Sequence, residues 1–409
     1  MNRGSILVLL LCAALRAQAA TEAVHCEASE GRGVLDDRYM EKLRVCAWRL
    51  LEPLTQKTSG IPDANTWTRG EDIIPDEESQ IRDGLRPSGE LATVRAAKPA
   101  SEPELYEMTF FNGIAKQFIQ AGPDRLDRPA TTEALLAKNV REIQFPTGSA
   151  ALKTFWYHVP RDRSISIRVW DWAATAPRTP AEEKNPQIDV TRLAQRCVAD
   201  SAKTARKAGR DCLVAGNAFY SITISDQDLF RCARAQCPPL AKGDLLILAA
   251  MHIASKQMPE WLWATWWWQG PGISEGAAWT CGAAQRPASI RDAGLWANYA
   301  MNVTASFRKE RAALAADNPC GAPSPIAGGQ ELRAMYNPFV EGREENGLKS
   351  SCVDCHSRAS TKSANELVVP AVDETGGPTL AGFEGHIRLD YLWSIRRTLN
   401  KTRTVPRDR

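Results

Sequence analysis

The chain has 409 residues, 44% hydrophobic and 24% charged, and carries a formal net charge of +3. A chain of this length buries a large core and implies two or three domains. The balanced charge, with no basic block or Lys/Arg-rich arm, gives nucleic-acid binding no support.

Residues 1–19 read as a signal peptide. Arg3 is followed by the apolar run Ile6 to Leu15 and then by Ala17-Gln18-Ala19, an A-x-A cleavage site. Cleavage after Ala19 leaves roughly 390 residues, an exported chain for which the simplest address is a bacterial periplasm. Leu11 stands before Cys12 where a lipoprotein signal needs a small residue. The apolar run is too short to span a membrane and no later stretch reaches spanning length, so no transmembrane segment is expected in the mature chain.

Residues 20–140 read as an N-terminal helical and linker region. A helix is expected over Asp37 to Leu54, with Leu43, Val45, Cys46, Leu50 and Leu51 as its buried stripe. Residues 55–103, rich in Pro, Gly, Asp, Glu and Ser, read as a long linker. Helices are expected from Pro103 to Ile119 and from Thr131 to Asn139, the second capped by Thr131 or Thr132 with Glu133 following.

Residues 141–280 read as a β-rich body. Phe145-Pro146-Thr147-Gly148-Ser149 is a turn. Ala150 to Val159 and the alternating Ile165, Ile167 and Val169 predict a hairpin about Pro160-Arg161-Asp162-Arg163. Asp189 to Ala215 looks helical, and Tyr220, Ile222 and Ile224 alternate as in a strand. Leu245 to Ile253 suits a central strand, with the tryptophan-rich Trp261 to Trp266 as its partner. The tryptophans read either as core beneath the sheet or as rings covering a cofactor face. No internal repeat is visible.

Residues 281–409 are expected to form a C-terminal region packed on the body, with a helix from Tyr299 to Ala316. Its chemistry lies in Ser351-Cys352-Val353-Asp354-Cys355-His356. This is C-x-x-C-H, the attachment signature of a covalent c-type haem. The thiols of Cys352 and Cys355 add to the haem vinyl groups, and His356 then reaches the iron as axial ligand. The competing readings are a disulfide cysteine or half of a zinc site. A zinc site needs two short-spaced ligand pairs, and no second C-x-x-C or H-x-x-x-H occurs. One haem c with its iron is therefore the expected cofactor. The fold expected is α+β, a largely antiparallel sheet body with flanking helices and a C-terminal covalent haem-binding segment.

Setting aside Cys12 and the motif pair leaves Cys26, Cys46, Cys197, Cys212, Cys232, Cys237, Cys281 and Cys320. This even remainder fits an oxidising compartment. Sequence leaves the pairing open among 105 possibilities. Loop proximity favours Cys26–Cys46, Cys197–Cys212, Cys232–Cys237 and Cys281–Cys320.

The second axial position stays open. No Met follows Met335, so the downstream Met of a small cytochrome c is excluded from the C-terminal segment. His386 is the only downstream His, with an exposed loop residue as the alternative. Met335 is an upstream candidate or a packing Met. His252, Lys256 and Met258 share a face by period two, either lining a haem pocket or forming a sheet face with Lys256 in solvent. His158 reads as a strand-end surface residue, and His25 has no special claim.

The five-residue motif resembles that of c-type cytochromes. More broadly, the order of motifs resembles the cytochrome P460 and β-type cytochrome c′ group. The counterparts are Phe145-Pro146-Thr147-Gly148, Met251 to Lys256, Trp261 to Trp268, Cys352 to His356 and Asp390-Tyr391-Leu392-Trp393. That resemblance implies a β-sheet architecture and an open distal site acting on a small nitrogen or oxygen species. Lys153 and Lys256 are candidates for the haem cross-linking lysine of cytochrome P460. The expected function is electron transfer by a periplasmic mono-haem cytochrome c with a redox partner protein. The alternative is a haem enzyme or gas-binding protein with an open distal site.

Overall fold

The computed structural model describes residues 37–55, 67–69, 86–87, 105–121, 132–169, 194–209, 211–224, 240–256, 261–270, 286–291, 294–305, 337, 339, 352–361 and 383–392. The expected signal peptide, Met258, Met335, His25 and most of the proposed disulfide cysteines lie outside these residues.

Helix α1 (Asp37–Thr55) opens the described chain. Strands β1 (Trp67–Arg69), β2 (Arg86–Pro87) and β3 (Leu105–Asn112) follow, then helices α2 (Gly113–Ala121) and α3 (Thr132–Ala137). Next come β4 (Ala150–Val159), β5 (Ile165–Val169), β6 (Ala194–Ala199), α4 (Ala202–Lys207), β7 (Leu213–Val214), α5 (Ala215–Ala218) and β8 (Ser221–Thr223). Then come β9 (Leu245–Ser255), β10 (Leu262–Trp268), α6 (Ala288–Arg291), a 3-10 turn (Leu295–Asn298) and β11 (Tyr299–Ala305). Helix α7 (Cys352–Ser357) and the short strands β12 (Ser360–Thr361) and β13 (Ile387–Arg388) close the described chain.

The fold is α+β around an antiparallel sheet. Its strand order is β1-β3-β4-β9-β10-β11, with β2 added on β3 and β8 on β9. Strands β5, β6 and β7 form a separate small sheet in which β6 and β7 run parallel. Among the described residues no helix is long and apolar enough to cross a membrane.

The two faces of the large sheet have different covers. Because side chains alternate along a strand, register assigns each residue to a face. On the first face Phe110, Leu152, Ile253, Ala264 and Val303 lie in one row across five strands. Met251, Trp266 and Met301 lie in the next. Helix α1 packs here, burying Leu43, Cys46, Ala47, Trp48, Leu50 and Leu51. This matches the stripe expected of it, except that Val45 is half-exposed and Trp48 is added. Trp48 meets Trp266 edge-on at 5.8 Å. The second face carries Phe111, Ala151, Ala254 and Trp263, covered by α2, α3 and the C-terminal segments.

Several expectations change. Leu105 to Asn112 is a strand rather than the start of a helix, and Asn112 is the cap at which α2 begins. Its Oδ1 accepts from Ala115 N–H at 3.0 Å and also from Ala150 N–H at 3.0 Å. Tyr299 to Ala305 is a strand as well, paired along its length with β10. The predicted hairpin of 150–159 with 165–169 does not form, because both edges of β4 are taken by β3 and β9 and β5 pairs β6 instead. The segment 189–215 contains β6, α4 and β7 rather than one helix, and the 55–103 linker contributes β1 and β2. Cys197 and Cys212 form the disulfide that loop proximity favoured, and Cys46 is disulfide-bonded.

Where β4 ends and β9 begins, Asp244 locks the chain. Its carboxylate meets His158 Nε2 at 2.7 Å and accepts from Ala241 N–H at 2.8 Å and Arg161 N–H at 3.2 Å. His158 is thus paired rather than a bare surface residue. Burial pushes the Asp244 carboxyl up, but the hydrogen bonds from His158, Ala241 and Arg161 outweigh it, so its pKa lies below the ordinary value. A lowered carboxyl pKa contributes stability above the unfolded value of about 3.9, and that contribution is lost as pH falls through the folded value. Asp244→Asn should therefore cost about 2 kcal/mol at neutral pH, and the difference from the parent should vanish in acid. Urea titrations from pH 7 down to pH 2 measure it.

Candidate functional site

Cys352 and His356 stand on α7, one turn apart, so both reach the same side of the helix. Cys352 packs at the edge of the second-face core. Helix α7 lies against β11. Its last turn closes through Ala359 N–H to His356 O at 3.0 Å, and β12 then pairs with β13. Ile143 N–H to Arg388 O, Arg388 N–H to Arg141 O and Leu389 N–H to Ala359 O tie this unit to the chain before β4. The motif helix and the segment 383–392 therefore sit together on the sheet.

The His356 imidazole is held from two sides. Trp263 of β10 packs against it, with ring centroids 4.2 Å apart and planes at 43°. Nδ1 lies 2.6 Å from the carbonyl oxygen of Tyr391. A carbonyl only accepts, so Nδ1 carries the proton and the lone pair resides on Nε2. This is how a metal-ligating histidine is prepared: one nitrogen donates to a fixed acceptor and the other faces the metal.

That acceptor belongs to an unusual turn. Asp390 and Tyr391 have φ of 47° and 68°, and Leu392 N–H donates to Leu389 O at 3.0 Å. Two central residues at positive φ make a type I′ turn, which Asp tolerates but which costs a tyrosine about 1–2 kcal/mol. The buried Asp390 carboxylate anchors the turn. It accepts from Phe145 N–H at 2.7 Å and Trp261 Nε1–H at 3.1 Å, and it pairs with Lys256 Nζ. Phe145 leads the Pro146–Ser149 turn, closed by Ser149 N–H to Pro146 O, where Gly148 at φ 84° supplies the positive φ a type II turn needs at its third position.

Beyond Trp263 the second face turns polar. Register places Thr109, Lys153, His252, Thr265 and Asn302 side by side across five strands. Lys153 Nζ lies 5.3 Å from the centroid of Phe155, and His252 meets the same ring edge-on at 5.6 Å. Asn337 Nδ2 donates to Thr265 Oγ1 at 2.6 Å. On the rows flanking this one, Trp263 Nε1, Thr304 Oγ1 and Trp267 Nε1 are buried with no hydrogen-bond partner among the described residues. Orphaned buried donors are rare, and acceptors such as the carboxylates of a haem would satisfy those on this face.

The sequence placed Lys256 in solvent as one alternative; its side chain is instead 12% exposed and paired with Asp390. His386 is not an exposed loop residue but buried, with Nδ1 3.3 Å from Ser360 Oγ. His252 lies within the sheet two register positions from the Ala254–Trp263 pair, on the same face. The tryptophans divide: Trp266 and Trp268 fill the first-face core, whereas Trp261 and Trp263 belong to the second. Cys355 lies on α7 beside His356. In sequence Asp390 stands out only within Asp390-Tyr391-Leu392-Trp393, and nothing local marks it as the partner of Lys256. Among the described residues no group of three or more His, Cys, Asp or Glu side chains forms a metal site. Comparison with protein-family models, curated proteins and solved structures gave no match for this chain.

Proposed function

We propose that the chain is an exported mono-haem c-type cytochrome that transfers electrons to or from a partner protein. Cys352 and Cys355 hold the haem and His356 ligates its iron. The observation that carries this reading is the C-x-x-C-H helix whose histidine has its Nδ1–H committed to the Tyr391 carbonyl. When bound, the haem supplies a reversible one-electron couple. The chain's own residues orient and insulate it. Trp263 shields the imidazole, the turn at Leu389–Leu392 fixes its tautomer, and the apolar part of the second face around Phe111, Ala254 and Trp263 excludes water, which tunes the potential through low dielectric.

A second reading is favoured by the polar row Lys153, His252, Thr265 and Asn302. Such a row suits an open distal side at which a small nitrogen or oxygen species binds, as the resemblance to the cytochrome P460 group implies. The ferric and ferrous absorption spectra of the purified exported protein decide between the two. Covalent haem with a low-spin, six-coordinate spectrum in both states is the expected result. A high-spin ferrous form that binds carbon monoxide or nitric oxide rapidly would transfer the assignment to the second reading. Chain matured beside other c-type cytochromes yet lacking covalent haem would end both.

A further inference from the structure

We infer that Asp390, with Lys256, is a positioning residue for His356: their pair holds the Leu389–Leu392 turn so that the Tyr391 carbonyl presents Nε2 for ligation. Its consequence at iron rests on the haem reading; its consequence for the imidazole does not.

The carboxylate joins three separate stretches of chain. Phe145 N–H comes from the segment before β4, Lys256 from the end of β9 and Trp261 Nε1–H from the start of β10. Lys256 is itself fixed through its backbone, donating to Ser149 O at 2.8 Å and accepting from Gly148 N–H at 2.9 Å. Its Nζ also lies 5.8 Å from the Trp261 ring centroid. The anchor is therefore part of the sheet, while the turn it holds sits on the motif helix. A carboxylate is needed because all three partners are donors. An amide offers one acceptor oxygen and would turn its own NH2 toward a cation or an N–H group. Tyr391 does not hold a left-handed φ unaided, so release of Asp390 lets the turn relax and withdraws the carbonyl from His356.

The sign of the redox effect separates positioning from simple charge. An Nδ1–H bond to a carbonyl makes the imidazole a stronger donor and favours ferric iron. Losing that bond raises the reduction potential. Lys256→Met also deletes a positive charge, which by Coulomb's law alone lowers the potential. Positioning predicts a rise for both Lys256→Met and Asp390→Asn. At a fixed solution potential the ferric-to-ferrous ratio should fall roughly ten-fold, about 59 mV for a one-electron couple.

Two measurements test this on the full chain. With Cys352 and Cys355 both replaced by alanine, the chain carries no covalent haem, and nitrogen NMR of its five histidines reads the His356 tautomer directly. The parent should be Nδ1-protonated. Asp390→Asn and Lys256→Met should lose most of that form, Lys256→Arg should restore it, and Trp261→Phe, which removes one donor and retains an aromatic ring, should lose it in part. On the haem-loaded chain, redox titration reads the potential. An unchanged tautomer across the series, or a lowered potential in Lys256→Met, overturns the inference. Should the parent take up no haem, the haem reading fails while the tautomer series still decides the role of Asp390. Should the pair variants not fold, Trp261→Phe and Lys256→Arg carry the test.

Discussion

His356→Ala should abolish stable iron ligation while leaving the fold intact, and millimolar imidazole should restore the parent spectrum. The substitution removes the Nε2 lone pair and opens a space the size of an imidazole between Trp263 and the Tyr391 carbonyl. Loss of an outer hydrogen-bond partner alone costs about 10–100-fold in metal affinity, so loss of the ligand itself should exceed about 100-fold. Free imidazole entering the space regains both the ring contact with Trp263 and the bond to Tyr391. Rescue by imidazole, with none by N-methylimidazole, would show that the Tyr391 carbonyl requires an N–H. Retention of the parent spectrum in His356→Ala without imidazole would remove His356 from the iron. Haem content per chain and the ferric spectrum, each with and without imidazole, are the measurements.

The parts of this molecule legible in the sequence are those encoded locally. The stripe of α1 and the apolar run of β9 are each specified within their own stretch of chain. The nearby Cys197 and Cys212 pair as short loop closure favours. Errors arose where one pattern ran into the next. Tyr106 to Phe111 runs into the amphipathic α2 through Asn112-Gly113, a local breaker at which the strand gives way to the helix with Asn112 as its cap. In β11, Tyr299, Met301 and Val303 alternate with Ala300, Asn302 and Thr304, a period-two signal obscured by the helix-like run that follows. The polar row on the second face could not be read at all. Lys153, His252, Thr265 and Asn302 are unremarkable in their own strands and become neighbours only once three registers are fixed. The same holds for Lys256 and Asp390, which lie 134 residues apart. A lysine at a strand end reads as solvated unless its distant partner is known.

Trp266→Ala should be the largest loss of stability from a single change on the first face, about 3–5 kcal/mol. Trp266 is fully buried between Met251 and Met301 in its row and meets Trp48 of α1 edge-on at 5.8 Å. Truncation forfeits the transfer energy of the ring and opens a cavity in a core that α1 spans from above. It also ends an aromatic pair worth about 0.5–1.5 kcal/mol. Its Nε1 has no hydrogen-bond partner among the described residues, so the loss is one of packing rather than hydrogen bonding. Trp266→Phe tests that attribution. It deletes an uncompensated buried donor together with part of the ring, and these oppose each other, so a net cost under about 1.5 kcal/mol is expected. Thermal unfolding should show the alanine variant lowered by roughly 10 °C and the phenylalanine variant far less. Neither change touches the second face, where Trp263 and His356 meet, so the haem spectrum of the folded alanine variant should equal that of the parent. If that spectrum changed at temperatures well below unfolding, the two faces of the sheet would be coupled, and the separation of the packing core under α1 from the ligand site under α7 would not hold.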